Sequence, residues 1–136
     1  LHVPEGRLEE IARALCREVV ESSRVRGIIY CGCADFDAMK RSLRFVDQLE
    51  TTETSLFLLG GKKRSNWDLH HVVPIHIDDR TFRENVFLLY MNEDYAYALI
   101  ARRVGEDLVG FHTSDFYFVE NMIAKLQDNY QLRSQI

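Results

Sequence analysis

The clearest signal for the fold is the stretch Gly27-Ile28-Ile29-Tyr30-Cys31-Gly32-Cys33. It is an apolar run bounded by glycine, which is typical of a strand buried on both faces. A second apolar run, Ser55–Leu59, ends at Gly60-Gly61. The strand–helix–strand order predicts two parallel strands joined by a right-handed crossover. The helix between the two runs is predicted from apolar residues at helical spacing: Phe36, Met39, Leu43, Val46 and Leu49.

The second half of the chain reads as strands joined by short connections, which favour antiparallel pairing. Pro74 has no backbone N–H to donate, so its strand is expected at an edge of the sheet. The alanines of the segment Ala96–Arg103 leave a short helix possible there as an alternative to a strand. The four segments are His71–Ile77, Asn85–Met91, Ala96–Arg103 and Leu108–Thr113.

Amphipathic helices are predicted at both chain ends, over about Glu5–Ser23 and Asp115–Arg133. Thr113, Ser114 and Asp115 are all suitable caps for the second of these helices. The predicted fold class is α/β (α+β), with a mixed sheet of five or six strands. Its first half is a parallel βαβ unit and its second half is antiparallel. Residues 1–136 are expected to form a single domain.

Composition excludes several classes of protein. Of 136 residues, 46% are hydrophobic and 28% charged, which is ordinary for a folded domain. The net charge of −4 gives no general attraction to nucleic acid or to an acidic membrane. The sequence contains no run of 18 or more apolar residues, so no membrane-spanning segment is expected.

Three cysteines, Cys16, Cys31 and Cys33, are an odd and sparse set, which indicates a reducing, cytoplasmic location. The first residues lack the pattern of a signal peptide. The chain begins with Leu1 rather than Met, so we expect either a fragment of a longer polypeptide or a chain without its natural start.

The Cys31-Gly-Cys33 pair lies at the carboxyl end of the first predicted strand, where open α/β sheets usually bind ligands. Core packing is the favoured interpretation, because cysteine is often buried and no second cysteine pair exists. The histidine and cysteine residues show no standard zinc spacing, so no metal site is expected. The set considered comprises His70, His71, His76 and His112 with Cys31 or Cys33.

Other motifs also have simpler explanations. The basic, glycine-rich stretch Gly60–Trp67 follows a strand but does not fit the phosphate-binding pattern G-x-x-x-x-G-K-S/T, so a solvated turn is favoured. Asp78-Asp79, with Asp115, could bind a divalent ion, and a turn explains the pair equally well. Cys33 and His112 lack any pattern that would place them together as a nucleophile pair. No enzymatic activity is predicted.

Four segments, in order, resemble the DICT sensory domain of diguanylate cyclases and two-component signalling proteins. Asn85 and His112 stand where that family has tryptophan. The segments cover nearly the whole chain: Leu8–Ser23 with Arg26–Tyr30, Phe36–Leu49 with Leu56–Leu59, Val73–Ile75 with Phe82–Leu89 and Tyr95–Arg102, and Leu108–Asp115 before the last helix.

The resemblance implies a cytoplasmic, non-catalytic input domain. It would regulate an output module in the same or a partner chain, such as a diguanylate cyclase, a histidine kinase or a transcription regulator. It does not identify the small-molecule signal or a cofactor. The residues expected to contact the signal are Cys31, Cys33, Asp35 and His112, and His112 is hypothesised to face a pocket and sense pH or ligand.

The terminal helices provide the predicted route to a partner and could support a homodimer. The expected interaction residues on the last helix are Tyr117, Met122, Leu126 and Tyr130. Two alternatives remain open at this point: a ligand-free dimerisation or interaction module, and a small metal-binding protein. Neither nucleic acid nor a membrane is an expected direct partner.

Overall fold

The computed structural model describes residues 2–4, 10, 14, 26–34, 36, 40, 44, 54–61 and 69–132. Within these ranges, seven strands form one mixed sheet in the order β1-β7-β6-β5-β2-β3-β4. The strands are β1 (His2–Pro4), β2 (Gly27–Cys33), β3 (Thr54–Gly60), β4 (Val72–His76), β5 (Asn85–Met91), β6 (Ala96–Val104) and β7 (Asp107–Thr113). The helices with defined ends are α1 (Thr81–Glu84) and α2 (Phe116–Tyr130).

The parallel part of the sheet contains three strands. β2 pairs in parallel with β3, as predicted, and Ile29 lies opposite Leu56. β4 also pairs in parallel with β3, so the expectation of an entirely antiparallel second half was wrong. Residues 61–71 separate β3 from β4, and this connection is long enough to return the chain to the same end of the sheet. β4 is an edge strand, as the proline at position 74 predicted.

The remaining pairings are antiparallel. All six predicted strands are present, and the sheet gains a seventh from β1, which pairs with β7. The alanine-rich segment is a strand rather than a helix. Ala96 and Ala98 are buried in the same cluster as Val119 and Ile123 of α2. Their small side chains allow the helix to pack closely on the sheet.

The two faces of the sheet carry two hydrophobic clusters, because successive side chains of a strand point to opposite sides. The first face includes Ile29, Cys31, Leu58 and Leu88. The second face includes Tyr30, Leu59 and Leu89, and α2 packs on it. Burial on both faces accounts for the uninterrupted apolar sequence of β2 and β3.

The prediction for the C-terminal helix is confirmed over Phe116–Tyr130. Its cap is Asp115, whose Oδ1 accepts a hydrogen bond of 3.1 Å from the Phe118 N–H. Of the predicted N-terminal helix only residues 10 and 14 are described; both are helical and exposed, and the rest lies outside the described residues. Of the helix predicted over residues 36–49, only 36, 40 and 44 are described, and the rest also lies outside the described residues. Among the described helices, none has the length and apolarity needed to cross a membrane.

Candidate functional site

The carboxyl ends of the parallel strands β2, β3 and β4 meet at one edge of the sheet. Open α/β sheets usually bind ligands at this position. A cavity of about 410 Å³ lies here, which we call the edge pocket. The residues lining it come from the ends of these strands, from the segment that leads into α1 and from α1 itself: Ala34, Gly61, His76, Ile77, Asp78, Asp79, Phe82 and Arg83.

Backbone geometry builds the floor of the edge pocket. The Gly61 N–H donates to the Cys33 carbonyl at 2.8 Å, and the Ile77 N–H donates to the Gly60 carbonyl at 3.4 Å. Gly60 has a φ of +93°, and a Cβ there would lie 2.7 Å from Cβ of Phe82. Glycine is therefore required at position 60 by conformation and by close packing. In the basic, glycine-rich stretch for which a solvated turn was predicted, both glycines therefore have positive φ, and residues 62–68 lie outside the described residues.

The two adjacent carboxylates of the edge pocket have different surroundings. Asp79 Oδ1 accepts from the Thr81 N–H at 2.9 Å, and Asp79 Oδ2 accepts from the Tyr130 hydroxyl at 2.7 Å. The hydrogen bonds from Thr81 and then from Tyr130 hold the pKa of Asp79 below its usual value. Asp78 instead pairs with Arg83 at 3.3 Å, and both side chains are exposed. Asp79 is therefore a fixed, ionised acceptor, whereas Asp78 belongs to a solvated ion pair.

Asp115 does not join these two carboxylates. It caps the beginning of α2, whereas Asp79 contacts Tyr130 at the other end of that helix. A helix of 15 residues is about 22 Å long. The three-carboxylate arrangement considered for a divalent ion is therefore not assembled.

The last helix is tied to the sheet by polar and aromatic contacts. Tyr130, the last residue of α2, packs its ring 5.4 Å from that of Phe82 and donates its hydroxyl to Asp79. Burial raises the pKa of Tyr130, and the hydrogen bond to Asp79 and its negative charge raise it further. One turn earlier, Gln127 Nε2 donates to the Tyr30 hydroxyl on β2 at 3.1 Å. The C-terminal end of α2 thus contacts both β2 and the loop of the edge pocket.

A second cavity of about 240 Å³, the helix groove, lies between α2 and the second face of the sheet. Phe82 belongs to the walls of both cavities. The position of Phe87 depends on Gly32, because a Cβ at Gly32 would overlap the Phe87 ring. The apolar walls of the helix groove are formed by Phe82, Phe87, Leu89, Ile100, Met122 and Leu126.

The residues predicted to contact a signal are not brought together. Cys31 and Cys33 are 1% and 5% exposed, lie in the cluster of the first face, and are absent from the linings of both cavities. His112 is exposed on β7, with its ring 5.8 Å from that of Tyr97. β5 and β6 separate β7 from β2, a distance of roughly 14 Å. Asp35 lies outside the described residues.

The four predicted interaction residues separate into two groups. Tyr117 is 77% exposed in the first turn of α2. Met122, Leu126 and Tyr130 are half-buried and line the helix groove. Three of the four therefore face the sheet of their own chain, and one faces solvent.

Sequence reasoning noted Asp79 only as part of an acidic pair beyond a strand, and it missed Phe82. Asp79 and Tyr130 are 51 positions apart, so no local spacing could connect them. Across the ranges that the structure describes, no group of three or more His, Cys, Asp or Glu residues could hold a metal ion. No protein-family model, curated protein or solved structure matches this chain. The resemblance to DICT sensory domains therefore stays a prediction from the sequence.

Proposed function

We propose that this chain is a non-catalytic sensory domain that regulates an output module in the same or a partner chain. A diguanylate cyclase, a histidine kinase or a transcription regulator is the class of output that the sequence resemblance implies. The observation that carries the proposal is the 2.7 Å hydrogen bond from Tyr130 to Asp79. It joins a cavity at the carboxyl ends of the parallel strands to the end of the last helix.

The physical mechanism is a competition for one carboxylate. A polar molecule in the edge pocket that binds Asp79, or that moves the turn at Thr81, weakens the contact to Tyr130. The end of α2 then has a different position or a different degree of order. The response is limited by the difference in ligand affinity between the two states of the helix.

The test is a fusion in which a diguanylate cyclase follows residue 136 and its product is measured in cells. Tyr130→Phe removes only the hydroxyl that reaches Asp79, and we expect it to change the output by ~twofold or more. The matched control is Tyr95→Phe, which removes the hydroxyl of a tyrosine in the β5–β6 turn. This tyrosine is 46% exposed, and its hydroxyl makes no hydrogen bond within the described part of the chain.

Hydrogen exchange of the same variants locates the effect. Tyr130→Phe should speed exchange in the last turn of α2 and around Thr81, while Tyr95→Phe should leave both regions as in the parent. Equal output from the parent and both variants, with equal exchange at the end of α2, would contradict the proposal.

A ligand-free interaction module is a second candidate, because large apolar side chains remain exposed beside α2. Val109 and Phe111 are 39% and 47% exposed on the same face of β7, and Tyr117 is 77% exposed. Sedimentation equilibrium separates the two candidates. A stable dimer whose cyclase output is unchanged by Tyr130→Phe would favour the interaction module over the sensory domain.

A further inference from the structure

The helix groove has an apolar interior with a chemically distinct rim. Its walls are aromatic and aliphatic, and three rings, those of Phe82, Phe87 and Tyr130, contribute to them. Phe82 contacts both of the other rings, at 5.8 Å and 5.4 Å. Such walls favour an apolar, preferably flat, group over a polar one.

The rim of the helix groove is positively charged. Lys125 is the only charged residue among those described that line the groove, and it is exposed. Within the described residues it forms no ion pair. Arg102 lies directly opposite Asn85 in the β5–β6 register, and Asn85 lines the groove. Cross-strand partners point to the same face, so a second cation lies beside the rim.

No carboxylate of the described chain lines this groove. Asp79, which is hydrogen-bonded to the groove residue Tyr130, lines the edge pocket instead and accepts from Tyr130 and Thr81. An anion at the rim therefore meets Lys125 without a competing acidic side chain among the lining residues. Asn129 can donate a hydrogen bond beside it, and Asn85, whose Nδ2 already donates to the Thr81 carbonyl at 3.1 Å, has one N–H left to donate.

We propose that the helix groove binds a small apolar carboxylate, with its apolar part among the rings and its carboxylate beside Lys125. The volume of about 240 Å³ exceeds an engineered cavity of about 150 Å³ that binds benzene, so a ring with a short acidic chain fits. The inference goes beyond the proposed function, because binding in the groove does not require that α2 transmit a signal.

The test uses the full chain with 3-phenylpropanoate and its neutral amide, 3-phenylpropanamide, as the two probes. Methyl NMR spectra follow Met122, Leu126 and Ile100 during each titration. For a ligand of this size we expect a Kd of about 1 mM, with shifts confined to the groove. The carboxylate should bind more tightly than the amide.

Three variants locate the interaction. Lys125→Met keeps the apolar stem and removes the charge, so it should weaken the carboxylate about two- to fivefold and leave the amide unchanged. Lys125→Arg should retain the preference for the carboxylate. Ile100→Phe narrows the groove and should weaken both probes, while thermal melting confirms that each variant is folded.

Three results would overturn the proposal. They are the absence of saturable shifts in the groove with either probe, equal affinity of the parent for both probes, and unchanged carboxylate binding in folded Lys125→Met. Because no output is measured, these results are independent of the fusion experiment.

Discussion

The edge pocket and the helix groove share Phe82 but differ in how they are built. Strand ends, positive-φ glycine and hydrogen bonds to Asp79 shape the edge pocket. Side chains of α2 packed on the second face shape the helix groove. The first cavity therefore depends on backbone conformation and ionisation, and the second on side-chain volume. Substitutions should separate these two dependences.

The largest effect is expected where the cavities meet. Phe82 is 2% exposed, and Phe82→Ala should lower the free energy of unfolding by about 3–5 kcal/mol, because it removes a buried ring and merges the two cavities. Urea denaturation measures the loss. The matched control is Phe111→Ala, since Phe111 is 47% exposed and should cost less than about 1 kcal/mol. Similar losses in the free energy of unfolding for the two variants would show that Phe82 is not a buried wall shared by the edge pocket and the helix groove.

A smaller effect is expected from the backbone of the edge pocket. Gly60→Ala places a Cβ at a φ of +93°, 2.7 Å from Phe82 and 2.8 Å from the Cys33 carbonyl, and should cost about 2–4 kcal/mol. Gly105→Ala isolates the backbone contribution, because Gly105 has a φ of +64° and no atom within 4 Å of its Cβ position. Its expected cost is about 1 kcal/mol. If urea or thermal unfolding shows that the two substitutions lower the free energy of unfolding equally, the close contact between Phe82 and Gly60 adds nothing to the cost of Gly60→Ala.

The smallest effect is electrostatic and concerns Asp79 alone. Its hydrogen bonds from Thr81 and Tyr130 lower its pKa in the folded state below the usual value of about 4, so its stabilising contribution is present above about pH 4 and is lost as the pH falls through the folded pKa. Asp79→Asn should therefore be less stable than the parent at pH 7, and the difference should shrink below about pH 4. Carboxyl NMR titration should also show the pKa rising in Tyr130→Phe and staying unchanged in Tyr95→Phe. A difference in stability that is constant from pH 7 to pH 3 would contradict this assignment.

Much of the sheet could be predicted because its strands carry a local signal. The apolar runs of β2 and β3 are buried on both faces, and Pro74 marks an edge strand. The parallel pairing of β4 was not predicted, because the second half of the chain was taken to have only short connections, which favour antiparallel pairing. The connection from β3 to β4, residues 61–71, is long enough for a parallel crossover. The three residues of β1 are too few for any periodicity.

The sequence indicates the end of the sheet at which a cavity lies but not the residues that line it. The carboxyl end of β2 does border a cavity, yet Ala34 rather than the thiols of Cys31 and Cys33 faces it. The alternation of a strand turns both cysteines to the same buried face, and a sequence does not show which face lies beside a cavity. The link from Asp79 to Tyr130 arises only when α2 has packed on the sheet.

The pairing of β1 with β7 has a consequence for the kinetics of folding. His2 lies opposite Val109, so this ladder forms between positions more than 100 residues apart in the chain. Closing so large a loop costs conformational entropy, and the contacts of three residue pairs offset this cost only in part. The β5–β6 and β6–β7 hairpins close over a few residues and should form early. We therefore expect β1 to dock last and to detach first, so that its amides exchange by local opening while the central strands exchange only on global unfolding.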